Sequence, residues 1–180
     1  MIIPRANFGL FRRYRIERDQ PVVKPEMNPV DWLLETIALV SLLFIAGYTI
    51  YNYPALPDTI ATHFNASGQA DEFGGKDSFF FLPGVAVFTY ILLTLANLIP
   101  YRFNYAVKIT QGNALRQYTL ATRMLRILKV VLILLFWYIS HATVQVSKGA
   151  TGLGMWFLPL ILGIIFGTLI IYFITAYRNK

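Results

Sequence analysis

Residues 36–57, 78–101, 130–147 and 149–177 contain no Asp, Glu, Lys or Arg. Each run reaches the length of about 18 apolar residues that marks a membrane-spanning helix. None shows the polar stripe at a 3.6-residue period that a buried soluble helix carries. A charge at the bilayer centre costs about 2.5–3.5 kcal/mol, so four such gaps mark four spans. The pattern predicts an all-α integral membrane protein, a four-helix transmembrane bundle forming one domain over residues 28–180. A basic segment over residues 1–27 precedes it.

The boundaries are legible in places. In "MNPVDWLLE", Asn28 suits a cap, Pro29 the first helical position and Asp31 the positive helix end. Tyr48, Tyr51 and Tyr53 mark a membrane interface. The second span ends at "NLIPYRFNY". The stretch "GNALRQYTLATRMLRILK" then predicts a helix running straight into the third span. Leu115, Leu120, Met124 and Leu128 line one side of it, Arg116, Arg123 and Arg126 stay polar, and Lys129 snorkels. Pro159 either bends the fourth helix or sits in its first turn. Gly163 and Gly167 form a G-x-x-x-G pair suited to a close helix contact, within the chain or between chains. Glu35 reads as an interfacial residue, with a proton-carrying role as the alternative.

Charge adds orientation. Of the 16 Lys and Arg residues, only Lys76 and Lys148 fall in the connections after the first and third spans. Cytoplasmic segments retain Lys and Arg, so both termini are expected in the cytoplasm and the loop over residues 54–78 outside. The expected location is the bacterial cytoplasmic (inner) membrane. The net charge of +7 is then topology and attraction to anionic lipid, and no nucleic-acid partner is implied. "FGLFRRYRI" reads as a cytoplasmic tail or a basic surface stretch rather than the start of a signal peptide. There is no cysteine, which excludes disulfides and thiolate chemistry.

The polar segment "YPALPDTIATHFNASGQADEFGGKDSFFFLP" holds four of the nine acidic residues. Pro57 pushes Leu56 into an extended conformation, and "NASG" and "FGGK" supply residues that tolerate positive φ. A small hairpin on the membrane surface fits this composition. Phe64, Phe73, Phe79 and Phe80 would anchor it as an ordered lid on the outer helix ends. There, His63, Asn65 and Asp71 would pair with a polar patch of Ser140, His141 and Gln145 on the third helix. Asp58, His63, Asn65, Gly68, Asp71, Lys76 and His141 are the candidate binding residues. His63, Asp71 and His141 are the candidate metal ligands, although their spacing matches no metal motif. The competing expectation is structural, with His63, Asn65, Asp71 and Lys76 holding the loop's own backbone. No nucleophile elbow or base pairing points to an enzyme, and no cofactor is expected.

The loop also resembles the outer-loop signature of a large bacterial family of unknown function that is shared with SdpI-type immunity proteins. Leu56, Pro57, His63, Phe64, Asn65, Gly68, Asp71, Gly74, Lys76 and Pro83 match that pattern. Ala61 stands where the family usually has Pro, and Gly75 where it usually has Ser. The resemblance implies a membrane protein that meets an extracellular peptide or a partner membrane protein through this loop. SdpI-type proteins carry additional spans that this chain lacks. A transporter, or a small accessory subunit of a larger membrane complex, is the alternative. Asn97, Thr94, Glu35 and His141 are the polar helix residues that could line a route.

Overall fold

A computed structural model describes residues 20–180. The basic stretch containing "FGLFRRYRI" lies outside the described residues. The elements are α1 (Pro29–Asn52), β1 (Thr59–Phe64), β2 (Ala70–Gly75), α2 (Phe81–Ala96), α3 (Ala114–Val146) and α4 (Phe157–Arg178). Four helical segments are long and apolar enough to cross a membrane. The helical framework is therefore the expected one, and the loop between α1 and α2 adds a two-stranded antiparallel sheet.

Local chemistry explains the ends. Asn28 and Asp31 form a reciprocal capping box with Pro29 at the first position, so α1 starts where the sequence places it. Leu56 is extended ahead of Pro57. α3 is one continuous helix of 33 residues, and Pro159 sits in the first turn of α4 without interrupting it.

α3 is the central element. α1, α2 and α4 each pack on it, and β1 rests against its end. Ala38, Ile45, Ala86 and Ile133 form an apolar core, flanked by Leu42, Tyr90 and Trp137. The small residues let the backbones approach, which matters where lipid tails give helices no hydrophobic reason to associate. Gly163 and Gly167 play no such part among the described residues. No neighbouring helix lies within 4 Å of a side chain built at either position.

The first half of α3 reverses one expectation. Leu115 is exposed, whereas Gln117, Thr122, Arg126 and Lys129 are buried. Arg126 and Lys129 thus turn toward the bundle, whereas Leu120, Met124 and Leu128 are only half-buried. Lys129 does not snorkel, because its side chain is 0% exposed and pairs across the bundle.

Candidate functional site

The hairpin end is built from local turn chemistry. Asn65 accepts hydrogen bonds through Oδ1 from the backbone of Ser67 (2.9 Å) and Gln69 (3.1 Å). Gly68 closes the turn at φ +76°. Thr59 pairs with Gly75 and Phe64 with Ala70, with an irregular register between Ala61 and His63. Ile60 and Ala61 are consequently both buried, a departure from strict alternation. Gly74 and Gly75 are not the positive-φ residues that "FGGK" promised; those are Gly68, Gly149, Gly152 and Gly154. Gly74 instead lies beside Thr62, whose methyl would stand 3.0 Å from an added Cβ.

Two contacts turn the hairpin into a lid. Ile60 joins Leu56, Phe79 and Val144 in a second apolar cluster over the end of α3. Burying one such isoleucine is worth about 1.5–3 kcal/mol. At the tip, the amide of Leu153 donates to the carbonyl of Gly68 at 2.7 Å, and Gln69 bridges Gly152. The α1–α2 and α3–α4 connections are thereby joined at one end of the bundle. Gln117 and Arg116, bonded to residues at the end of α4, lie at the other.

The candidate residues divide. His63 Nδ1 lies 2.6 Å from Asp71 Oδ1, within the hairpin. Lys76 reaches Asp58 at 3.7 Å, and its amide donates to the carbonyl of Asp58. His141 Nδ1 is 3.0 Å from the Tyr48 hydroxyl on α1, and its ring packs against Trp137. The expected pairing of His63, Asn65 and Asp71 with Ser140, His141 and Gln145 therefore does not form. The hydroxyl of Ser140 bonds back to its own helix, and the loop is held instead by Thr143 donating to the carbonyl of Ala61 at 3.3 Å. His63, Asp71 and His141 are not brought together as a ligand set. Among the described residues no group of three His, Cys, Asp or Glu side chains is placed to hold a metal.

Between hairpin and helices lies a cleft of about 350 Å³, lined by Ile60 and His63 of β1, Leu82, Ser140 and Thr143 of α3, and Phe157 of α4. Its walls are mostly apolar with a few polar atoms, the usual make-up of a binding cleft. The hairpin carries Asp71 and Glu72, and Asp58 and Asp77 flank it beside Lys76. Phe73 is exposed on the same strand pair.

The hydrogen bond to Asp71, then its charge and that of Glu72, raise the His63 pKa above its ordinary value. A raised folded value stabilises the hairpin below the ordinary pKa of about 6.5, and that contribution is lost as pH rises through the folded value. The protection of the amides across residues 59–75, with intrinsic exchange divided out, should therefore fall from about pH 6 to pH 9, and Asp71→Asn should flatten that fall. An unchanging wild-type profile would refute the coupling. Both groups are exposed, so alanine at either position should lower thermal stability only slightly.

At the opposite end the bundle holds a charged network that the sequence reading missed. Arg123 Nε and Nη2 bind Asp31 Oδ1 and Oδ2 at 3.0 and 3.2 Å. Arg126 Nε donates to Glu35 at 3.2 Å, with Nη1 3.6 Å from Asp31. Lys129 Nζ donates to Glu35 at 2.6 Å and to Thr94 at 2.9 Å, and sits 4.7 Å from the Tyr90 ring centre. The available signal was spacing. Asp31 and Glu35 are one turn apart, as are Arg123 and Arg126, with Lys129 a turn further on, so two complementary ladders face each other.

Residues 40–87, which run from α1 through the hairpin into α2, match a family model described as a domain of unknown function (DUF1648). A 74-residue stretch is 31% identical to an uncharacterised protein of Archaeoglobus fulgidus, covering 37% of this chain and 40% of that one. The matched chain thus spans well under two thirds of that relative's length. No solved structure matches. Among the described residues four helices are fit to cross a membrane, and the chain's similarity to the domain of unknown function is centred on the hairpin.

Proposed function

We propose that the chain is a multi-pass binding protein of the bacterial cytoplasmic membrane, with both termini inside and the hairpin outside. In this reading it meets an extracellular peptide or a partner's extracellular segment through the hairpin and the cleft beneath it. The SdpI-type immunity proteins that the loop resembles supply the analogy. The observation that carries the reading is the ordered lid over a largely apolar cleft, since a linker of no function needs neither. Asp71 and Glu72 on the hairpin, with Asp58 and Asp77 beside it, outnumber Lys76 and favour a cationic ligand with an apolar segment. The lysine and arginine distribution supports the orientation. Reporter fusions at Lys76 and Lys148 should read external, and those at Lys108 and Lys180 cytoplasmic; one inversion would sink it.

A conducting route has less support. Glu35, Thr94 and Lys129 are paired at one end and His141 lies towards the other. Along the helices between them come Ala38, Ile45, Ala86 and Ile133, all 0% exposed.

Cells lacking the gene should become more sensitive to at least one of a panel of secreted cationic peptides. A wild-type copy should restore resistance, and Ser140→Trp, which fills the cleft, should not. Unchanged sensitivity across the panel would count against the proposal.

A further inference from the structure

Beside the charged network, at the end of the bundle away from the hairpin, lies a cleft of about 380 Å³ between α1 and α2. Arg126, Lys24 and Asn97 line it together with Glu35, whose carboxylate is taken up by Arg126 and Lys129, and its apolar wall includes Trp32, Leu39 and Leu98. We propose that this cleft binds the headgroup of an anionic phospholipid that carries both a phosphodiester and a free hydroxyl.

The charge balance comes first. Asp31 and Glu35 oppose Arg123, Arg126 and Lys129, which leaves the network one positive charge in surplus. Lys24, exposed at the rim, adds another. Lys129 is already satisfied by Glu35, Thr94 and Tyr90, and it does not line the cleft. Arg126 does, and its Nη2 takes no part in the pairs made by Nε and Nη1. A guanidinium has more N–H donors than these pairs use, and one that lines a cleft is suited to phosphate oxygens.

Asn97 supplies the second observation. It is only 9% exposed, and neither Nδ2 nor Oδ1 has a hydrogen-bond partner among the described residues. An unpaired buried amide is costly, so both atoms call for one occupant that accepts and donates at once. A phosphodiester oxygen accepts from Nδ2, and a glycerol hydroxyl donates to Oδ1. A choline headgroup has no donor for that oxygen, and its own positive charge meets a positive site.

The rest of the lining distinguishes a lipid from a soluble phosphate. Trp32 is 62% exposed at the rim, where indoles settle at headgroup depth. Leu39 and Leu98 are also exposed, so the cleft opens sideways onto the surface that contacts acyl chains. Basic pockets between membrane helices hold anionic headgroups on the same physical grounds.

The test is native mass spectrometry of the full-length protein from detergent supplied with equal phosphatidylglycerol, phosphatidylethanolamine and phosphatidylcholine. One phosphatidylglycerol should be retained in preference to the other two. Lys24→Gln should weaken that retention about fivefold, and Asn97→Leu should abolish the preference. Lys24 is exposed, so its variant decides the matter even if Asn97→Leu fails to fold. Equal retention of the three lipids, or unchanged retention in Lys24→Gln, would overturn the site. Displacement of phosphatidylglycerol by excess inorganic phosphate would reassign it to a soluble anion and overturn the lipid assignment.

Discussion

Replacing Glu35 with alanine should lower the stability of the bundle by about 3–5 kcal/mol, the cost of leaving buried cations without their partner. Glu35 is the shared acceptor of Arg126 and Lys129. Lys129 is fully buried, so it cannot turn to water when its carboxylate is removed. Thr94 and the Tyr90 ring remain, but neither carries charge. Arg126 keeps only its longer contact with Asp31. The matching experiment removes both members. Glu35→Leu with Lys129→Met replaces the pair by apolar groups of similar length and should recover most of the loss, since an apolar isostere is often no worse than a buried pair. The two singles and the double form a cycle read by thermal unfolding in detergent. A single substitution that leaves the melting temperature unmoved would show that the pair contributes nothing.

Substituting Gly152 with alanine should release the hairpin tip while leaving the helices assembled. A Cβ at that position would stand 2.2 Å from the carbonyl oxygen of Gly68, and at Gly68 it would stand 2.4 Å from that of Gly154. The opposing atoms are backbone, which has no rotamer to change. Gly152 also sits at φ +123°, where any side chain is strained. Strain and overlap cannot both be relieved without opening the clamp and losing the Leu153–Gly68 hydrogen bond. Gly149 separates the two causes. Its φ is +93°, but nothing lies within 4 Å, so Gly149→Ala costs about 1–2 kcal/mol in backbone strain and keeps the clamp. Limited proteolysis of the loop at residues 65–69 should therefore speed up in Gly152→Ala and stay slow in Gly149→Ala. Equal protection in both would mean that the clamp does not hold the lid.

What could be read from the sequence was what local physics determines. Charge-free runs marked the spans, Asn28, Pro29 and Asp31 the start of α1, and Asn65 with Gly68 a turn. Of the four phenylalanines expected to anchor the loop, Phe79 is buried in the cluster beneath it, whereas Phe73 and Phe80 are exposed. Contacts across the bundle were not legible. Lys129 obeys a snorkelling rule that holds until a carboxylate from a helix ninety-odd positions earlier faces it; the two are separated by 94 in sequence. The same blindness misdirected His141, whose partner is Tyr48 rather than the loop. The glycines of the clamp were unreadable for another reason. Each is common in loops, and only the meeting of two loops makes them irreplaceable.

The clamp has a further consequence for how the chain is made. During synthesis the hairpin emerges once α1 is complete, but the residues that fasten its tip lie beyond α3. Val144, on which Ile60 packs, is also at the far end of α3. The lid therefore cannot close while the first two spans alone are in the membrane. It waits for α3 to be in place and for the short turn ahead of α4 to arrive, so closure reports that the third helix has packed. A chain whose third helix failed to pack would carry its hairpin open, with Ile60 and the edge of β1 uncovered.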